Sequence, residues 1–446
     1  MHRPFPARLR RRPLPYIIAR MAIPELIEMV PLESPVVAEV TAPGSKSLTN
    51  RALILAALAD GAVTLRGALW SEDTQVMFDS LRRLGFQAEA REDSREPGNR
   101  TLLVRGLGGK IPNAGTSGRP LELFVGNAGT AARFLAALVC LGRGVYRLEG
   151  TPRMQERPQA GLFKALRELG YRVDSPNDRL PAVIFGSGPR ADAACAVSTE
   201  ESSQFASALA LCAERGLWRV APAEKSAEQE RYLDMTFKLI KSFPGKGGEF
   251  QVEPDASSAS YFLAAQWLLQ PPGAITVASF PVSDWQMDAA FPNFLPLPAT
   301  ISRRTQLGDS IMTAMVLAPF AAGPVKFTHL ERLRAQECER VAAMRAELTK
   351  CGVKVMEQGQ SLEIFPAAEK PRGAEIETWQ DHRVAMCFAI LGLKVAGIRL
   401  KNPACVKKTF PNFFQKLAAP PPGGLGAVIL DARDRRPLAG AALFAD

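Results

Sequence analysis

The chain has 446 residues, of which 47% are hydrophobic and 22% charged, with a formal net charge of +10. That length can bury more than one core, and the composition excludes a disordered or fibrous protein. No apolar run reaches the roughly 20 residues of a membrane span, and six arginines without an acidic residue in the first 20 positions supply over half of the charge excess, so nucleic acid is not required as a partner.

The opening residues, "MHRPFPARLRRRPLPYIIAR", are Arg- and Pro-rich and lack an apolar signal core. We expect a flexible leader over 1–22. It reads as a transit-like segment or, preferably, as sequence ahead of a start at Met21. Seven cysteines (140, 195, 212, 338, 351, 387 and 405) are scattered and form no C-x-x-C pair. They point to free thiols in a reducing compartment, with Cys387 and Cys405 as packed thiols, and not to disulfides or zinc. Only three histidines are present, which argues against a His-rich metal site.

The first structured stretch is "TAPGSKSLTNRALILAALADG", residues 41–61. A Pro-Gly-Ser turn runs into a helix of small apolar residues, with Lys46, Ser47, Asn50 and Arg51 at the junction. Free N–H groups and a partial positive charge make a helix start a seat for phosphate or carboxylate. Ser47 and Arg51, four apart, share one face. It is not a P-loop, because Glu39 and Ser45 stand where that motif needs glycines. An ordinary N-cap from Ser45 or Ser47 would also account for the turn.

The pattern returns five times: "GNAGTAARFLAALVCL" from Gly126, "SSQFASALALCA" from Ser202, "DASSASYFLAAQWLL" from Asp255, "GDSIMTAMVLAPFAAG" from Gly308 and "DHRVAMCFAILGL" from Asp381. Ser257 and Ser258 in the fourth copy could simply cap its helix. Amphipathic helices alternate with these: "EDTQVMFDSLRRLGFQAEA", "ERPQAGLFKALRELGYRVD", "AEQERYLDMTFKLIKSF" and "ECERVAAMRAELTKCGVKV". Three of the four end at a glycine placed for a C-cap. Strand-like runs such as "AVTLRGA", "GVYRLEG", "PVKFTHL" and "GIRLKNP" fill the gaps. The third and fourth units are short, and in the fourth "DWQMDAAFPNFLPLPAT" stands where an amphipathic helix is due, broken by Pro292, Pro296 and Pro298. The last stretch, 419–446, is Pro/Gly/Ala-rich and is expected to be a loose tail.

Six copies of one unit suggest a repeat architecture, and the size favours two domains of three. The apolar helices would be central and the amphipathic ones outer. If the six starts aim at one place, the polar turns meet there. They bring Lys46, Ser47 and Arg51; Asn127, Gly129 and Thr130; Ser202, Ser203 and Gln204; Ser257 and Ser258; Asp309; and His382 and Arg383. That is an anion-binding cleft with one embedded carboxylate.

Eight segments resemble, in order, the motifs of the 5-enolpyruvylshikimate-3-phosphate synthase family. They are "APGSKSLTNRALILAALADG", "LFVGNAGTAARFLAAL", "PRMQERP", "SSQFASAL", "DASSASYFLAA", "GDSIMT", "DHRVAMCFAI" and "KKTFPNFF". The resemblance runs from about Val36 to Leu417. It implies an α/β fold built as an inside-out barrel, with two domains of three βαβαββ units each, the third and fourth units being shortened here. With hinges near Pro43 and Pro254, the first domain is 44–253 and the second joins 23–43 to 254–418.

The implied reaction moves the enolpyruvyl group of phosphoenolpyruvate to the 5-hydroxyl of shikimate 3-phosphate. It proceeds by addition and elimination and releases phosphate, without metal or organic cofactor. The resemblance also implies a cytoplasmic enzyme, a monomer, with no nucleic-acid or membrane partner. By the same resemblance Lys46, Ser47, Arg51, Ser202, Ser203, Gln204, Tyr232, Asp309 and Gln336 bind shikimate 3-phosphate. Lys46, Gly129, Arg157, Gln204, Arg340, Arg383 and Lys408 bind phosphoenolpyruvate. Asp309 takes the hydroxyl proton, Glu337 handles the methylene proton, and Lys46 assists.

The sequence departs from the family at four places. Gln336 replaces a usual lysine, Gln229 a usual serine, Arg332 a usual asparagine, and Phe134 a common proline. Gln336 can donate a hydrogen bond but carries no charge. Other readings are a slow or noncatalytic shikimate 3-phosphate binder, a UDP-N-acetylglucosamine enolpyruvyl transferase, and a basic nucleic-acid binder.

Overall fold

The structure is a computed structural model that describes residues 23–198, 202–222, 227–269, 274–281 and 283–445, without the side chains of 222 and 227–230. The leader over 1–22 and the Gln229 side chain lie outside these residues.

Six apolar helices form the interior: α1 (Lys46–Leu58), α2 (Gly129–Val139), α3 (Ser203–Gly216), α4 (Ala256–Leu268), α5 (Ile311–Leu317) and α6 (His382–Gly392). Helices α1, α2 and α3 pack on one another, as do α4, α5 and α6. Their alanines, serines and glycines let backbones approach closely on several faces at once, so these helices are buried almost all round. The amphipathic helices Glu72–Arg83, Ala160–Glu168, Ala227–Ser242 and Arg340–Lys350 form as the pattern predicts. Three of them end at Gly85, Gly170 and Gly352, all with positive φ. At each, the next N–H reaches back into the last turn: Phe86 to Leu81, Tyr171 to Leu166 and Val353 to Leu348. This is the glycine C-cap expected from the sequence.

Four sheets have four strands, a parallel pair extended by two antiparallel strands; in three the added strands form a hairpin, and in the fourth they are Leu26–Met29 and Ile429–Asp431 from the two ends of the chain. In one of them Leu121–Phe124 pairs parallel with Arg143–Glu149, followed antiparallel by Ala182–Ser187 and Arg172–Asp174. Two sheets hold the parallel pair alone, Ala194–Val197 with Arg219–Pro222 and Ala38–Thr41 with Ile275–Ala278. The short third and fourth units therefore lack the hairpin among the described residues. Where the fourth unit was due an outer helix, Met287–Phe294 forms a 3-10 helix on α4.

Hydrophobic residues segregate into two cores. One gathers side chains from Leu48 to Val252, the other from Ile23 to Val40 and from Tyr261 to Ala445. The chain passes between these lobes twice, and the passages lie side by side. Ser45 N–H donates to Glu253 O at 2.8 Å and Asp255 N–H to Pro43 O at 2.8 Å. Each lobe keeps its own strands beside the passages: Gly248–Gln251 pairs with Ala62–Leu69 in the first lobe, and Ile275–Ala278 pairs with Ala38–Thr41 in the second. Gly44 is required at this crossing, because a Cβ there would sit 2.0 Å from the Gly67 carbonyl oxygen.

The stretch expected to be a loose tail is packed instead. Ile429–Asp431 adds an antiparallel strand beside Leu26–Met29, and Leu425, Leu438 and Leu443 are buried in the second core. Its alternating leucines and isoleucine outweigh the Pro/Gly content that suggested disorder.

Candidate active site

The cleft between the lobes is walled by the starts of all six central helices. Of the fifteen side chains named from the resemblance, thirteen line it: Lys46, Ser47, Arg51, Gly129, Arg157, Ser202, Ser203, Gln204, Tyr232, Asp309, Gln336, Glu337 and Arg383. Arg340 and Lys408 are not in the lining but touch it. Arg340 is 1% exposed beneath Asp309 and Glu337, and Lys408 contacts the lining residue Asp73.

The first-lobe wall is largely a network of hydroxyls, amides and single cations. Ser202 caps α3 by accepting from Gln204 N–H at 3.2 Å. The Gln204 amide donates to Thr130 at 3.2 Å and accepts from Arg133 at 2.7 Å. Arg157 donates to Asn127 O at 3.1 Å. Its guanidinium lies where a side chain on Gly129 would be, since a Cβ there would stand 2.6 Å from Nη2. Arg51 is buried and ties α1 to its neighbours through Thr236 (2.9 Å) and Ser207 (3.2 Å). Burial pushes it down to about 10. Phe134 lies under this guanidinium, 5.2 Å from its ring centroid, so a bulky aromatic at this position holds the arginine from below.

The second-lobe wall is an ion cluster. Asp309 faces three guanidiniums, Arg383 at 3.0 Å, Arg303 at 3.5 Å and Arg340 at 3.6 Å. The Gln336 amide stands 3.5 Å from the same carboxylate and accepts from Arg340. Burial would raise Asp309, but Arg383, Arg340 and Arg303 outweigh it and hold the carboxyl well below the usual range. Glu337 lies 2.8 Å from Arg340. Burial opposes its charge too, and Arg340, Arg157, Lys408 and Lys46 reverse that, so it is ionised. Arg340 is also held by Asp381 at 2.7 Å, and Asp381 caps α6 by accepting from Arg383 N–H at 2.8 Å. His382 is fully buried, and burial with the Arg383 charge drives its imidazole well below the ordinary value, so it is neutral.

The two walls meet through Asp73, which is 2% exposed. It pairs with Lys408 of the second lobe at 2.7 Å and Lys46 of the first at 3.3 Å. Above it Arg153 crosses the cleft and donates to Gln336 O at 2.9 Å. A second crossing contact, Lys416 with Glu96 at 2.6 Å, lies near the hinge passages.

Sequence reasoning missed four of these groups. Asp73 stands in the first turn of a helix, where an acid is ordinary dipole complement. Arg133 lies one turn inside α2, and Arg303 sits in the charged run "SRRTQ", which reads as solvent-facing. Asp288 accepts from Gly308 N–H (2.7 Å), Ser310 Oγ (2.6 Å) and Ser257 Oγ, and so shapes the turn carrying Asp309. It lies in the Pro-broken segment, where no periodicity marked it. Ser257 and Ser258 are not the caps of α4; Asp255 is, accepting from Ser258 N–H at 2.7 Å.

Comparison with known proteins gives the family. The sequence model for EPSP synthase (3-phosphoshikimate 1-carboxyvinyltransferase) matches residues 31–293 and 303–417. A 3-phosphoshikimate 1-carboxyvinyltransferase of Opitutus terrae is 39% identical over 89% of this chain and 98% of its own length. The enzyme of that name from Pseudomonas syringae pv. syringae is 37% identical over 88% and 97%. Among solved structures, the EPSP synthase of Acinetobacter baumannii superposes with a TM-score of 0.69 over 91% of this chain and 99% of its own, at 21% identity. The enolpyruvyl transferase NikO of Streptomyces tendae gives 0.66 over 92% and 98%, at 16% identity. Eight motifs in order, a family match over most of the length and a shared mixed α/β fold together make this chain a member of the EPSP synthase family.

Proposed function

We propose that this chain transfers the enolpyruvyl group of phosphoenolpyruvate to the 5-hydroxyl of shikimate 3-phosphate, releasing phosphate, in the pathway to aromatic amino acids. The observation that carries the reading is the convergence of both candidate proton-handling carboxylates and a set of cations on one interlobe cleft. The two substrates bring two phosphates and two carboxylates, which such a cleft is built to receive.

The architecture we infer is the inside-out α/β barrel, with domains 44–253 and 23–43 plus 254–418 hinged at Pro43 and Pro254. Two separate cores and the paired crossings support it. The enzyme is a cytoplasmic monomer; among the described residues no helix is long and apolar enough to cross a membrane.

Shikimate 3-phosphate is held by Ser47, Arg51, Ser202, Ser203, Gln204, Tyr232 and Gln336. Phosphoenolpyruvate is held by Gly129, Arg157, Gln204, Arg340, Arg383 and Lys408, and Lys46 touches both. Asp309, kept ionised by its three arginines, takes the 5-hydroxyl proton as that oxygen attacks. Glu337 delivers a proton to the methylene carbon, making it a methyl group. Glu337 is held deprotonated by cations that the substrate anions neutralise on binding. Substrate therefore raises the affinity of this carboxyl for the proton it must give. Glu337, now a carboxylate, takes back a methyl proton as the carbon–carbon double bond re-forms and the C–O bond to phosphate breaks. Arg153 and the Lys408–Asp73 pair close the cleft and keep water from the intermediate.

The test is phosphate release by purified protein given phosphoenolpyruvate with either shikimate 3-phosphate or UDP-N-acetylglucosamine. Release only with the first is expected. No release with it, or release with the nucleotide sugar alone, overturns the assignment. Tight binding without release marks a noncatalytic relative.

A further inference from the structure

The cation at Arg303 belongs to none of the recognised motifs, yet it is built into the site. It is 3% exposed and lines the cleft. It follows the strand Thr300–Ser302 in a turn fixed by its own hydrogen bonds. Ser302 Oγ accepts from Arg304 N–H (3.2 Å) and Thr305 N–H (3.3 Å), the Gln306 side chain accepts from Ser302 N–H (2.6 Å), and Arg303 N–H donates to Thr328 O (3.0 Å). The turn leaves the Arg303 side chain aimed at Asp309.

Within the cluster centred on Arg340, Arg303 supplies one of three positive charges. Asp309, Glu337 and Asp381 carry three negative charges, and Arg303, Arg340 and Arg383 carry three positive ones. Arg340 is shared among all three carboxylates. Without Arg303 this cluster would hold three carboxylates with two guanidiniums. Gln336, which stands where the family usually has a lysine, adds a donor and no charge. Arg303 Nη2 and Gln336 Nε2 are both 3.5 Å from one atom, Asp309 Oδ1. Arg340 Nη1 lies 3.6 Å from the same oxygen, which is thus shared by two guanidiniums and one neutral amide.

We infer that Arg303 is a positioning residue for the transfer reaction: it orients Asp309 through Oδ1 and supplies the positive charge that lets this wall accept an anionic acceptor. The inference rests on the placing of the reaction in this cleft. A guanidinium stays protonated, so Arg303 acts by charge and geometry and carries no proton.

Steady-state kinetics with shikimate 3-phosphate and phosphoenolpyruvate test it in four variants. Arg303→Gln is expected to raise KM for shikimate 3-phosphate roughly 10- to 100-fold, the loss typical of a charge-assisted hydrogen bond. Arg303→Lys, which keeps the charge, retains most of the affinity. Gln336→Lys alone lowers kcat/KM by crowding a fourth cation around Asp309. In the Arg303→Gln background the same Gln336→Lys change raises kcat/KM, because the charge then returns to the same oxygen. A merely structural arginine would show no such reversal of sign. Unchanged KM in Arg303→Gln, or a Gln336→Lys effect of one sign in both backgrounds, overturns the inference. If Arg303→Gln does not fold, Arg303→Lys replaces it as the background, where Gln336→Lys must still lower kcat/KM; a gain overturns the inference. A native chain without turnover overturns the underlying reading and this inference with it, whereas native turnover with an indifferent Arg303 overturns the inference alone.

Discussion

The two walls of the cleft are built on different physical terms. The first-lobe wall relies on hydrogen bonds to neutral acceptors, Gln204 N–H to Ser202, the Gln204 amide to Thr130 and Arg157 to a backbone carbonyl, which keep single cations in place. The second-lobe wall is a closed ion cluster in which every charge is held by another. Members of the first wall can be removed singly at modest expense. In the second, removing one partner strands a buried charge. The first wall is suited to holding a ligand and the second to fixing the protonation of two carboxylates.

Arg340→Met tests this contrast most severely. It strips a counter-ion from Asp381, Glu337 and Asp309 at once. A loss of about 3–5 kcal/mol of stability is expected, read as the urea midpoint at neutral pH, together with loss of turnover. A midpoint near that of the native chain would break the contrast.

Asp309→Asn should lower kcat by roughly 10²- to 10⁴-fold, the range for loss of a general base, with a smaller change in KM. Its stability effect has a definite sign with pH. The folded carboxyl lies below its ordinary value near 3.8, so its contribution is present above about pH 4 and is lost as pH falls through the folded value. The gap in urea midpoint between the native chain and Asp309→Asn therefore narrows from pH 7 to pH 3. A constant gap would show that the cluster does not hold Asp309 ionised.

Asp73→Asn sits between the walls. It leaves Lys46 and Lys408 without their shared carboxylate, and KM for phosphoenolpyruvate is expected to change about tenfold, as for one charged hydrogen bond. An effect as large as that of Arg340→Met would mean that the lobes depend on this contact to close. Gln204→Ala is the mildest. It removes one bond to Thr130 and one accepted from Arg133, so it should destabilise by about 1.5–3 kcal/mol, the range for a hydrogen bond to a charged group, and raise KM more than it lowers kcat. A dominant loss in kcat would blur the division between the walls.

The repeated helices were legible because a helix buried on every side must be apolar and small, and six such runs are hard to mistake. The glycine caps were equally plain, since Gly85, Gly170 and Gly352 each need a positive φ. Lys46, Ser47, Gly129, Ser202, Ser203, Gln204 and Arg383 stand out in the sequence because they sit at helix starts, and Arg51 because it lies four residues on from Ser47. Tyr232 lies within a helix and Lys408 ends a 3-10 helix, and these two are named only through the motifs. What stayed hidden depends on partners far away in sequence. Asp73 matters because Lys408, 335 residues on, lies against it. Arg303 and Asp288 matter because of the turn that presents Asp309. The C-terminal strand was hidden for the same reason: its partner, Leu26–Met29, is at the other end of the chain.

That strand has a consequence for anyone who shortens the chain. Ile429–Asp431 is the outermost member of its sheet and covers the ladder groups of Leu26–Met29. A protein ending at Ala418, just past the family match, would bare that edge beside the apolar ground vacated by Leu425, Leu438 and Leu443. Such an edge recruits further copies, so the trimmed protein would tend to self-associate even with every cleft residue intact.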